Sequence, residues 1–333
     1  MGEEQAHVLA IPYPSQGHII PFLRFAKRLS SKGIKATFAT TRHTLSSISS
    51  PFISVEPISD GFVLGGFSQA PNTDLYLKSF KIHGSKSLSQ LIEKYNSSST
   101  PIDCVIYDSF FPWALDVAKQ HGVFGAPFFT NSVAVCALYC RIHLGILGLP
   151  VKREESPVVV PGLPPLSFDD LPSFLRAPDC YPAYLAMKLS PFSNLDGADW
   201  IFCNSFEELE GEGKKGTSEL WSATLIGPMV PSAHLDGRIE GDNGHGASLW
   251  KPLSEECTNW LKMKADKSVV YVSFGSMVSL IDEQMEEIAW GLKGSNLDFI
   301  WLVRNSELNK LPSEVVDSTT EKVNNKAKSF ASR

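Results

Sequence analysis

Short apolar runs alternate along the chain with longer amphipathic stretches, and that alternation leaves few folds open. Segment 7–13 (HVLAIPY) reads as a buried strand, and 18–32 as a helix with Ile19, Ile20, Leu23, Phe25, Ala26 and Leu29 on its apolar side. Segment 34–40 reads as the next strand, 74–95 as a long amphipathic helix, and 102–108 (IDCVIYD) as a strand before a helix over 112–121. Segment 124–130 (FGAPFFT) is a further strand, 132–144 a helix, and 199–205 (DWIFCNS) one more strand. Strands this short and this apolar are buried on both faces, and helices between them make the crossovers that parallel strands need. The expectation is an α/β protein with a doubly wound parallel sheet.

The chain has 333 residues, too many for one ordinary core. A Gly-, Pro- and Asp-rich stretch from 229 to 252 separates the first α/β run from a second. In the second, 254–264 and 282–295 read as helices and 268–274 and 298–303 as strands. Three parts follow: a domain over 1–228, a linker over 229–252 and a shorter domain over 253–333. Segment 149–182 is Pro-rich and reads as irregular loop, and the residues after Lys322 show no clear period.

Several functions are disfavoured. Net charge is -6 with no Lys/Arg-rich run, which argues against nucleic acid as a partner. No 18-residue apolar window suggests membrane insertion, and the first residues lack the pattern of a secretory signal. The six cysteines show no CxxC and no zinc spacing, so no metal site is expected, and unpaired thiols fit a reducing cytosol.

The chemistry-bearing candidates sit at strand ends, because in an open α/β sheet ligands bind beyond the carboxyl ends of the strands. Gly17 and His18 follow the first strand and open the first helix. A neutral imidazole there can accept a proton from a substrate hydroxyl; equally, it can merely finish the turn. Asp108 ends the strand CVIYD. It can orient His18 as a triad carboxylate does, or cap the helix that follows. The two strands could be neighbours. No serine in a nucleophile-elbow context accompanies the pair, so covalent acyl transfer is not indicated. Gly211–Gly216 matches GxGxxG but follows an acidic helical run, and reads as a surface loop rather than a dinucleotide turn. That makes an oxidoreductase a poor fit. The strand SVVYVSF runs into Gly275 and Ser276, a turn that suits an anion or is an ordinary strand end.

Taken together, "PYPSQGHIIPFLRFAKRLSSKG", "CVIYDSFFPWALDVAKQHG", "PFFTNS", "VPGLPPLSFDDLPSFL", "NSFEELE", "IGPMVPS" and "KSVVYVSFGSM" resemble the plant family of UDP-dependent glycosyltransferases for small molecules, with the likeness running over about residues 6–322. The closest look is to its branch acting on carboxylic acids and related acceptors. The resemblance implies two Rossmann-like domains of the GT-B type, the second incomplete here. His18 is then the general base and Asp108 its orienting partner, with Gly17, Thr130, Gly275 and Ser276 as donor contacts. It implies an inverting transfer from a UDP-sugar, UDP-glucose by expectation, to a small hydroxyl or carboxylate acceptor. No cofactor or metal is implied, and the expected state is a cytoplasmic monomer.

The family pattern WxPQ…HCGWNS…E…DQ, which the resemblance assigns to donor binding, does not occur in these 333 residues. Trp301 is followed by Leu-Val-Arg on a strand and cannot stand in for it. The sequence leaves the family pattern near Val323, which reads as an early stop. Losing one oxyanion donor costs roughly 3–4 kcal/mol of transition-state stabilisation. Impaired transfer is therefore expected, and the apolar strands beside an absent half-sheet are expected to expose their edges and lower solubility. The alternative is a non-catalytic acceptor binder or dominant-negative partner.

Overall fold

The computed structural model describes residues 5–48, 53–63, 65–240, 242, 254–275, 279–316, 319–323 and 327–332. It divides into two units, Met1–Ala247 and Ser248–Arg333, a boundary inside the stretch expected to link two domains.

The first unit carries β1 (His7–Ile11), β2 (Lys35–Thr41), β3 (Ser54–Ile58), β4 (Cys104–Asp108), β5 (Phe124–Phe129), β6 (Phe202–Cys203) and β7 (Thr224–Leu225). Its helices are α1 (Gln16–Ser31), α2 (Arg42–Leu45), α3 (Thr73–Asn96), α4 (Trp113–Gln120), α5 (Val133–His143), α6 (Ser173–Arg176), α7 (Pro182–Leu189) and α8 (Glu207–Thr217). The strands form one parallel sheet in the order β3-β2-β1-β4-β5-β6-β7. The chain works outward from β1 to β3, then restarts on the other side with β4. The order reverses between β1 and β4, where Ile11 pairs with Tyr107. Such a switch point opens a crevice at the strands' carboxyl ends.

Every residue of β1 and β4 is buried, which is why both read as unbroken apolar runs. On one face Leu9, Ile11, Val105 and Tyr107 pack with Phe80, Leu88 and Trp113 of α3 and α4. Phe22 and Phe25 of α1 lie 4.9 and 5.5 Å from the Phe128 ring. Each such ring contributes about 1.5–3 kcal/mol on burial. α3 starts where the Asn72 side chain accepts the Leu75 N–H, and α5 where Ser132 accepts that of Val135. α1 stops at Gly33, whose φ of +84° returns the chain to β2 at little steric cost.

Four sequence expectations change in this unit. The strand expected over 199–205 shrinks to two residues in β6, with the Asp199 carboxylate taking the Gly125 N–H just before it. Gly211–Gly216 is no surface loop: it lies in α8, with Gly211 and Gly213 buried. A Cβ on Gly216 would lie 2.0 Å from the Pro161 carbonyl oxygen, so glycine lets the chain cross the helix there. The start of the stretch 229–252 is docked rather than free. Buried Asp242 takes hydrogen bonds from Arg24, Lys27 and the Ser232 N–H, tying the stretch to α1. Segment 149–182 has a core of its own, in which Val151, Val158, Leu171 and Leu175 pack on Leu138 and Tyr139 of α5.

The second unit holds α9 (Ser254–Leu261), β8 (Val269–Ser273), α10 (Asp282–Gly294), β9 (Asp298–Arg304), α11 (Ser313–Val316), β10 (Thr319–Val323) and β11 (Ala327–Ser332). The sheet order is β10-β11-β9-β8; β8 and β9 are parallel and β11 is antiparallel to both its neighbours. The residues after Lys322 therefore supply a strand that their side-chain pattern hides, since main-chain groups alone can satisfy an open sheet edge. Trp301 is buried with Met285, Phe299 and Val303 under α10. On β8, Tyr271 is 68% exposed. Among the described residues no helix is long and apolar enough to cross a membrane.

Candidate active site

β1 ends at Ile11, and Tyr13 with the turn after it leads into α1 at Gln16. Pro21 lies four residues past Gly17 and has no N–H to give to the Gly17 carbonyl, so the first helical turn carries one bond fewer than usual. Gly17 is exposed, with nothing within 4 Å of where a Cβ would stand. His18 comes next, mostly buried, with 15% of its side chain exposed.

Its Nδ1 stands 2.7 Å from Asp108 Oδ2. Asp108 is fully buried at the end of β4 and satisfied on both oxygens. Oδ2 also accepts the Tyr13 N–H at 3.1 Å, and Oδ1 the Phe110 N–H at 3.1 Å. A buried carboxylate is tolerable only when paired in this way. Both readings of Asp108 thus hold in part. It shapes the turn before α4 through the Phe110 N–H, although Pro112 is the helix cap, and it also grips the imidazole.

A carboxylate only accepts, so Nδ1 is the protonated nitrogen of the neutral ring and Nε2 keeps its lone pair. Thr130 Oγ1, just past β5, lies 3.1 Å from the same Nδ1 and shares that N–H. Aromatic rings enclose the imidazole: Phe110 at 5.0 Å between ring centres and Tyr13 at 5.4 Å. The Tyr13 hydroxyl stays protonated, pushed above the usual phenol range by burial, then by Tyr184 and Asp108. The site is therefore an oriented base in an apolar surround, able to receive a proton from an acceptor hydroxyl.

The structure brings Gly17, His18, Asp108 and Thr130 together around the β1–β4 switch point. Gly275 belongs to the other unit, where it follows β8 with φ +72°. Ser276 lies outside the described residues. Sequence reading missed Lys188 on α7, whose Nζ lies 4.3 Å from the centre of the Phe110 ring. Its one signal was a lysine within the apolar run YLAMKL. Tyr184, one helical turn earlier, was missed as well.

Residues 226–321 match a family model described as UDP-glucoronosyl and UDP-glucosyl transferase. UDP-glycosyltransferase 74B1 of Arabidopsis thaliana is 46% identical over 96% of this chain and 70% of its own length. The flavonol 7-O-beta-glucosyltransferase UGT74F1 of the same plant is 44% identical over 94% of this chain and 68% of its own length. Among solved structures, Os79 of O. sativa in complex with UDP superimposes with a TM-score of 0.86 at 33% identity, over 93% of this chain and 70% of that one. Another Os79 structure, in complex with U2F and trichothecene, gives a TM-score of 0.83. These structures share the two-domain GT-B architecture expected from the sequence.

Proposed function

Because the chain belongs to the plant UDP-glycosyltransferase family, whose activity is UDP-sugar-dependent glycosyl transfer, we propose that it serves the transfer of glucose from UDP-glucose to a hydroxyl or carboxylate of a small acceptor. The His18–Asp108 contact carries this reading, since it leaves Nε2 as a base with no hydrogen-bond partner among the described residues. An acceptor hydroxyl donates its hydrogen bond to Nε2. Its oxygen attacks the anomeric carbon while the bond to UDP breaks on the opposite face. UDP leaves with the electron pair, the proton passes to Nε2, and the configuration inverts. The Asp108 charge faces the imidazolium as it forms.

Glucose as the sugar is supported by the likeness to the flavonol 7-O-beta-glucosyltransferase. Gly17 and Thr130 are assigned to the donor from the first unit, and Gly275 and Ser276 from the second. The proposal includes no metal and no cofactor besides the sugar nucleotide. We place the protein in the cytoplasm, as unpaired cysteines favour, and as a monomer, since one copy holds the whole base pair.

The 333 residues by themselves are proposed to transfer slowly, because the donor pattern HCGWNS is not among them. A second reading, acceptor binding without turnover, is favoured by one observation. Tyr13, His18, Asp108 and Thr130 all lie in the unit Met1–Ala247. The test supplies the 333-residue chain with UDP-glucose and a phenolic acceptor, following product by mass spectrometry and acceptor binding by calorimetry. Binding with transfer near background is expected. Robust transfer contradicts the impairment, and absence of acceptor heat contradicts the acceptor site.

A further inference from the structure

Lys188 is an ammonium in an unusual place. It is half-buried on α7, between buried Met187 and the end of the helix. Its Nζ rests on the Phe110 ring, which also touches the His18 ring. Among the described residues that ring contact is the one direct partner found for Nζ, with no hydrogen bond and no ion pair. Burial pulls its pKa below the ordinary lysine range, and the Asp108 charge pulls it part of the way back. Asp108 is no partner in the bonded sense, because its oxygens are taken by the Tyr13 and Phe110 N–H groups and by His18.

A cation removed from water without a hydrogen-bonded anion is costly, and a ring face repays only part of that. The deficit ends if a ligand brings the anion. A small acceptor with its reacting oxygen beside the His18 ring would lie along Phe110, with its other polar atoms toward Lys188. A carboxylate fits, being ionised at neutral pH with two equivalent oxygens. A phenol or alcohol at that pH brings no charge to meet the ammonium.

We propose that Lys188 is a specificity-determining residue that holds the carboxylate of an anionic acceptor beside His18. The proposal rests on the acceptor-site reading above. One carboxylate oxygen forms the bond to the anomeric carbon as the bond to UDP breaks and UDP takes the electron pair. The other oxygen stays on Lys188, and no proton has to move. Negative charge leaves the carboxylate as the ester forms, so Lys188 binds the ground state at least as well as the transition state. It therefore acts on affinity and acceptor choice rather than on the chemical step.

Binding tests this without turnover. Phenylacetate and its neutral match phenylacetamide are titrated calorimetrically into the 333-residue chain, into Lys188→Met and into Lys188→Arg. The expected result is preference for phenylacetate, a loss of about tenfold in its affinity in Lys188→Met, and recovery of most of it in Lys188→Arg. Phenylacetamide binding stays within about twofold throughout, which also reports that the pocket is intact. Unchanged phenylacetate affinity in Lys188→Met, equal loss for both probes, or a wild-type preference for the amide overturns the role of Lys188 alone. Failure of the wild-type chain to bind either probe overturns the acceptor-site reading and this inference with it.

Discussion

His18 Nδ1 and Asp108 Oδ2 meet at 2.7 Å although 90 residues separate them in the chain. The meeting is a consequence of topology. β1 and β4 are adjacent in the sheet, and each residue follows or ends its strand at the same carboxyl edge. The contact fixes the imidazole's tautomer. In nitrogen-15 NMR, His18 in the native chain should show Nδ1–H with Nε2 unprotonated. Asp108→Asn should mix or reverse the tautomers, since an amide can donate as well as accept. An Nε2–H tautomer in the native chain would mean that the pair does not present a base.

Asp242 gathers two cations. Burial alone would raise its carboxyl, but the Ser232 N–H, Lys27 and Arg24 outweigh burial and hold it below the usual carboxylate range. Asp242→Ala leaves Arg24 and Lys27 buried without a counter-charge among the described residues, which should cost about 3–5 kcal/mol by urea denaturation. The Asp242 contribution is present above the ordinary carboxylate value of 3.8 and lost as pH falls through the lower native value.

How much of this was legible in sequence varies by residue. β1 and β4 were readable because both faces are buried, so local apolarity and position coincide. That His18 and Asp108 sit at the sheet's carboxyl edge was readable because strand ends mark the crevice. The contact between His18 and Asp108 required strand order, which apolar runs do not encode. Lys188 was hidden because its place depends on how α7 packs, not on any local pattern. β11 was hidden because main-chain pairing leaves no side-chain period, and Gly211–Gly216 misled because close helix packing and a turn both favour glycine.

Two glycines should respond in opposite ways. Gly216→Ala pushes a methyl into the Pro161 carbonyl and should destabilise by about 1–3 kcal/mol. Gly17→Ala meets open space in a helix and should stabilise by about 0.5–1 kcal/mol. If Gly17 borders the donor, the same variant should weaken UDP binding. Thermal melts with and without UDP separate the two effects.

His7 should give the fold a pH dependence remote from the site. It is fully buried, with Nδ1 donating to the Thr100 carbonyl at 3.0 Å and Nε2 accepting from Thr37 Oγ1 at 2.8 Å. Burial is the main cause that lowers its pKa from the ordinary 6.5. Its contribution is complete above pH 6.5 and declines as pH falls through the lowered native value, by up to about 1.4 kcal/mol per pH unit. His7→Asn should flatten that part of the stability profile between pH 4 and 7; a profile unchanged by the substitution would show that His7 is not its source.

The central claim is that His18 takes the acceptor's proton. The direct measurement fuses the C-terminal part of UDP-glycosyltransferase 74B1 after Lys322 and compares His18→Ala with the parent chimera on an alcohol and on a carboxylic acid. The account predicts a fall of about 10²–10⁴ in kcat/KM for the alcohol and a clearly smaller one for the acid, which arrives already ionised. Retention of the parental rate on the alcohol, or equal losses on both acceptors, would contradict it.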